Sequence, residues 1–170
     1  YGGYRGSGFQ FLTNVRRAPL DGSAVCDWRL TEPMKGQGKR PWKDVGLRAH
    51  MIGTDEELIA CDGPMQKYAY LPKTVPFMVR RRTGKDLASS FVTVYEPYEG
   101  EAWIERVAPV RVEPDDVQAV AALVELTDGG NHYVFHSLAP EKTYTLDGNV
   151  TVTGQAACLA VAKDDTVAKA

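Results

Sequence analysis

Apolar residues in this chain recur mainly at every second position, in short runs closed off by Gly, Pro, Asn and Asp. That periodicity belongs to strands whose alternate side chains face opposite ways. Residues 9–15 put Phe9, Phe11, Thr13 and Val15 on one face, and Asp21-Gly22 then predicts a turn. Residues 24–30 are a clear half-buried strand: Ala24, Cys26, Trp28 and Leu30 share one face, and Val25, Asp27 and Arg29 the other. Residues 45–52 repeat the pattern, with Val45, Leu47, Ala49 and Met51 opposed to Arg48 and His50. A short strand over 58–60 ends at Asp62-Gly63-Pro64, a strong turn signal.

Further strands are predicted over 75–82, 91–95 and 103–112, where Pro97 and Gly100 close the second and Pro109 implies an edge or bulge in the third. Residues 117–126 are rich in Ala and readable as a helix. Asp128-Gly129-Gly130 followed by Tyr133-Val134-Phe135 makes them a hairpin partner instead. Strands over 143–146, 150–152 and 156–162 complete the series, with a tight turn at Asp147-Gly148-Asn149. Residues 32–42, with Pro33, Gly36, Gly38 and Pro41, read as an exposed loop. Roughly a dozen short strands at this spacing predict one antiparallel β-sandwich over residues 1–162, followed by a polar, frayed tail over 163–170.

Composition narrows the classes of function. The chain has 170 residues and a formal net charge of −2, so no strong field of either sign argues for nucleic acid or an anionic membrane. No apolar run approaches the roughly 18 residues of a membrane span. The start of the chain, Tyr1-Gly2-Gly3-Tyr4, lacks the apolar stretch of a signal peptide. Cys26, Cys61 and Cys158 are far apart with no zinc-type spacing, which predicts buried or half-buried free thiols, with one disulfide plus one thiol as the alternative.

The chemistry-bearing residues do not form a catalytic signature. His132 and His136 flank strand sequence, and four strand residues span roughly 13 Å, too far to share an ion. No metal or cofactor is therefore expected. Ser89-Ser90 and Cys61 have no His close in sequence. The acidic groups Asp55-Glu56-Glu57, Glu96, Glu99, Glu101 and Asp115-Asp116 read as solvated loop residues. The Gly-rich stretches at Gly6-Ser7-Gly8 and Gly36-Gln37-Gly38 join no strand to a helix, so they are not phosphate loops. The basic residues are more informative. Arg80-Arg81-Arg82 is the densest positive run, with Arg16-Arg17 and Lys39-Arg40 besides, and Trp42 close to the latter. Guanidinium forks pair with carboxylate or sulfate, and rings stack on sugar faces. Arg80, Arg82, Arg48, His50 and Trp42 are the candidate ligand contacts; solvated ion pairs are the plainer reading.

Several segments together resemble a known family. They are Phe11-Leu12-Thr13-Asn14-Val15-Arg16-Arg17-Ala18, Asp21-Gly22 with Trp28-Arg29-Leu30, Val45-Gly46-Leu47-Arg48-Ala49-His50-Met51, Arg81-Arg82-Thr83-Gly84, and Ser90-Phe91-Val92-Thr93-Val94-Tyr95-Glu96-Pro97-Tyr98. In that order, over about residues 8–136, they resemble the C-terminal β-sandwich region of heparinase II/III-like polysaccharide lyases. Such lyases pair an α/α toroid with this sandwich and cleave uronic-acid-containing polysaccharides by β-elimination. The toroid supplies most of the catalytic residues. None of its helical repeats is present here, and no catalytic residue carries over onto His50, His132 or His136. The resemblance therefore implies an accessory domain, not active alone, that contacts acidic polysaccharide outside the cytoplasm. The alternatives are a structural domain packed on a catalytic toroid, or an enzyme whose site the sequence hides.

Overall fold

A computed structural model describes residues 8–30, 44–64 and 73–162, and the backbone of Val167–Lys169. Trp42 and the loop predicted over 32–42 fall outside the described residues. The protein is an all-β antiparallel sandwich, as the alternation predicted. A 3₁₀ turn, Gly8–Phe11, occupies part of the first predicted strand. The strands are β1 (Thr13–Arg29), β2 (Val45–Pro64), β3 (Thr74–Arg81), β4 (Val92–Glu99), β5 (Ile104–Pro109), β6 (Val112–Glu113), β7 (Ala119–Leu126), β8 (Asn131–Ser137), β9 (Thr143–Leu146), β10 (Val150–Thr153), β11 (Ala156–Val161) and β12 (Val167–Lys169).

Three sheets form. The first orders β1-β2-β3 and adds β4 on β2; the second is β10-β9-β6; the third is β12-β11-β8-β7-β5. The third lies in the middle. Ala119, Ala121 and Phe135 on one of its faces pack with Tyr144, Leu146 and Val152 of the second sheet. Ala122 and Val124 on its other face pack with Ile52 of the first sheet, along with Ile104 and Val107 from β5. Period-two alternation supplies both faces of β7, so a segment with no polar side is a strand buried on both faces. The Phe135 and Tyr144 rings meet with centroids 5.4 Å apart. Tyr144 donates its hydroxyl to Asp116, 2.9 Å away. Asp116 also accepts from Lys142 and the Gln118 backbone N–H, and these donors, the backbone one foremost, hold its carboxyl down at about 2.

Two predicted turns lie inside strands. Asp21-Gly22 falls within β1 and Asp62-Gly63-Pro64 within β2, so these strands run to 17 and 20 residues. The first signal marks a bulge. Between the pairs Leu20↔Glu56 and Gly22↔Gly53, β1 advances two residues and β2 three. Gly22 at φ +102° and Asp55 at φ +55° absorb the mismatch. The bulge bends the hairpin. Met51 and Leu58 would stand roughly 23 Å apart on a straight strand, yet they share one cluster with Leu20, packed by Ala24, Cys26 and Met78. The other edge of β2 is divided between β4, opposite residues 45–52, and β3, opposite 57–64.

Other departures are local. The strand predicted over 103–112 splits at Val110–Arg111 into β5 and β6, which belong to different sheets. Pro109 ends β5 at the edge of its sheet, where no partner strand asks for its missing N–H. Val167–Lys169, in the predicted frayed tail, pairs with β11. All three cysteines are free, but Cys158 is exposed rather than buried.

Candidate binding site

Arg80, in the run that drew attention first, lies at the bend and is almost entirely enclosed. Its Nε and Nη2 donate to the two carboxylate oxygens of Glu56 at 2.8 and 2.9 Å. Nη2 also donates to the Ile52 carbonyl at 2.7 Å, and Nη1 to the Val92 carbonyl at 2.5 Å and the Thr93 hydroxyl at 2.9 Å. That is five bonds from a group with five N–H donors. Glu56, expected in a solvated loop, is buried beneath it. A Cβ on Gly53 would stand 2.2 Å from Glu56 Oε1 and 2.8 Å from Arg80 Nη2, so glycine there makes room for the pair. Arg80 thus ties β2, β3 and β4 together and has no donor left over. Arg81 pairs with Glu57, and Arg82 sits half-buried just beyond β3.

His50, a candidate ligand contact from the sequence, is also buried, on the face of β2 that meets the middle sheet. Its Nε2 lies 2.9 Å from Glu96 Oε2. Glu96 Oε1 accepts the backbone N–H of Trp103 at 2.5 Å and of Ile104 at 2.7 Å. Burial alone would push the Glu96 carboxyl up; the His50 bond and the two amides outweigh it and hold the group below its ordinary value. Among the described residues, Nδ1 of His50 has no hydrogen-bond partner. The pair fastens β4 to the start of β5. The alternation contained this: Val92, Val94, Glu96 and Tyr98 share one face, and the first two are apolar.

Arg48 behaves differently. Opposite it on β1 stands Asp27. Asp27 Oδ2 accepts from Arg48 Nε at 3.3 Å and from Arg29 Nε and Nη2, each at 3.3 Å, while Oδ1 accepts the Tyr98 hydroxyl at 2.6 Å. The Tyr98 bond foremost, and both arginines, hold the Asp27 carboxyl below its ordinary value; the same bond raises the Tyr98 phenol. The Tyr98 ring lies over Gly46, whose Cβ would come within 2.2 Å of it. The guanidinium carbons of Arg48 and Arg29 stand 5.3 and 5.9 Å from the ring centroid. The Arg29 side chain is 64% exposed and that of Arg48 27%.

Beside this cluster, between the two arms of the bent hairpin, a groove of about 340 Å³ is lined by Trp28, Arg29 and Asp27 from one arm, Arg16 and Asp62 from the other, and Met78 of β3, among others. Among the described residues β1 pairs only with β2, so both faces of its outer edge contribute to the groove. Arg16, an exposed residue, has no ion pair among the described residues. A larger cleft, about 640 Å³, has apolar walls that include Ile52, Val92 and Val110, and its Arg111 and Glu113 are paired to each other at 2.6 Å.

The structure therefore brings Arg48 together with Arg29, a residue the sequence reading did not single out, and separates both from Arg80 and Arg82. Sequence signalled the grouping only weakly, through Asp27 and Arg29 on the polar face of their strand. Among the described residues, no three His, Cys, Asp or Glu side chains stand close enough to share a metal ion. His132 and His136 do lie on one face of β8, opposite Val124 and Val120. Chemically, the site can hold an anion and a ring face. Compared with known proteins, the chain matches no family model, no curated protein and no solved structure.

Proposed function

We propose that this chain is a noncatalytic accessory β-sandwich domain of the heparinase II/III-like lyase kind, which contacts a uronic-acid-containing polysaccharide at the groove beside β1. The observation that carries the reading is the joint presence of Trp28, Arg16 and Arg29 along one open groove. A ring face suits the apolar face of a sugar, and guanidinium forks suit its carboxylate. β-Elimination would further need a base at C5 and an acid at the leaving oxygen.

Affinity electrophoresis against uronate and neutral polymers, at low and moderate salt, tests the proposal. Retardation by the uronate polymer that weakens with salt and with Trp28→Ala is the expected result. A rise in the ultraviolet absorbance of an unsaturated product would overturn the noncatalytic part. A second reading, a structural domain packed on a catalytic toroid, draws on the apolar row Trp28–Leu47–Pro97 and on Tyr95, which is 63% exposed. No retardation by any polymer would favour that reading.

A further inference from the structure

We infer that Arg29 and Arg48 together form a preorganised seat for one oxyanion, a carboxylate or a sulfate group. The inference deepens the polysaccharide reading, on which it rests for the polymer that delivers the anion.

Donor counting carries the inference. Two guanidiniums share the single carboxylate of Asp27, and the acid opposite Arg48 on β4, Glu96, is taken up by His50 and two backbone amides. Asp27 is spent: it already accepts four hydrogen bonds, three of them on one oxygen. Arg48 uses only Nε, and Arg29 only Nε and Nη2. Among the described residues, both terminal nitrogens of Arg48 and Nη1 of Arg29 donate to no acceptor. The two like charges are nonetheless held side by side, against one ring that is itself fixed over Gly46 and by its hydroxyl. Holding two cations together costs Coulomb energy that an incoming anion relieves, and the ordering of both forks is largely in place before it arrives. Forked N–H donors fit carboxylate and sulfate oxygens alike.

The test is a titration of the folded protein with sodium glucuronate and, separately, sodium sulfate, at ionic strength held constant with sodium chloride. Arginine Nε–H signals are followed by heteronuclear NMR. Saturable shifts of the Arg29 and Arg48 signals are expected, with Arg106 unmoved as an internal reference. Arg29→Gln should weaken binding roughly tenfold, the worth of one charge-assisted hydrogen bond, and Arg29→Lys should fall between. Saturation by glucuronate alone, or by sulfate alone, upholds the site and names the source of the anion. Shifts that never saturate, or an affinity untouched by Arg29→Gln, overturn it. Small anions that saturate the site while no polymer is retarded would remove the polysaccharide reading and leave the oxyanion seat. Polymer retardation that survives both Arg29→Gln and Arg48→Gln would do the reverse.

Discussion

Arg80 with Glu56 and Arg48 with Asp27 are both cross-strand arginine–carboxylate pairs on the same bent sheet, about the same bulged hairpin. At Arg80 one guanidinium meets one carboxylate in a two-pronged contact, and two backbone carbonyls and a hydroxyl take up the remaining donors. At Asp27 two guanidiniums and a phenol converge on one carboxylate, and several donors are left without an acceptor among the described residues. A buried charge must find all its partners inside the protein, because its desolvation cost is otherwise unmet. A half-exposed one can leave donors for solvent or for a ligand. Donor accounting therefore separates an arginine that holds the fold from one that can hold something else, where charge density along the sequence does not.

The largest effect is expected at the bend. Glu56→Ala leaves Arg80 buried without its carboxylate and should lower unfolding free energy by about 3–5 kcal/mol, read as a shift of the urea midpoint at unchanged slope. A smaller fall with an unchanged site geometry would mean that the carbonyls alone can hold Arg80. Next comes the other buried acid. Glu96→Gln should cost about 1–3 kcal/mol near neutral pH, the price of disturbing three hydrogen bonds in a closed site. Because the folded Glu96 carboxyl titrates below its unfolded value, its contribution is complete above the ordinary carboxylate range and is lost as pH falls through the folded value. Stability measured against pH should accordingly be flatter on the acid side in Glu96→Gln than in the parent, and parallel curves would show that Glu96 is not the linked group.

At the more exposed pair, Gly46→Ala acts on the ring that Asp27 and both arginines share. The new Cβ must displace the Tyr98 ring, which should cost about 1–3 kcal/mol and free the Asp27 carboxylate from the phenol. Loss of Tyr98 from its place would show as a lower phenol titration midpoint in an ultraviolet pH titration; an unchanged midpoint would mean that the ring has another way to sit. The smallest structural effect belongs to Arg29→Gln, at a largely solvated side chain whose ion pair is screened. Its melting temperature should match that of the parent, while anion binding falls. A marked drop in melting temperature would make Arg29 a structural residue like Arg80.

The alternation of side chains was enough to read the strand class of nearly every element, including β7, where the hairpin signal at Asp128-Gly129-Gly130 rightly prevailed over a helix-like run of Ala. The polar face of Val25, Asp27 and Arg29 was legible for the same reason: a period of two fixes which residues share a side. The length of β1 and β2 was not. Asp21-Gly22 supplies the positive φ that a turn needs, but a bulge needs it equally, and only the pairing of Leu20 with Glu56 and Gly22 with Gly53 tells the two apart. The acids illustrate the same limit. Glu56 and Glu96 were read as solvated because carboxylates usually are, yet each is buried against donors contributed by residues distant in sequence or by backbone amides, which carry no mark in the amino-acid string.

By itself, then, the sequence determined that this chain is an antiparallel β protein, and which side chains lie together along each strand, because those properties follow from local periodicity and turn chemistry. Which arginine is consumed and which keeps donors to spare is settled by packing. That choice depends on how many acceptors the bend in the hairpin and the crossing of the sheets bring within hydrogen-bond reach of each guanidinium, and such distances arise only when strands far apart in the chain are packed together.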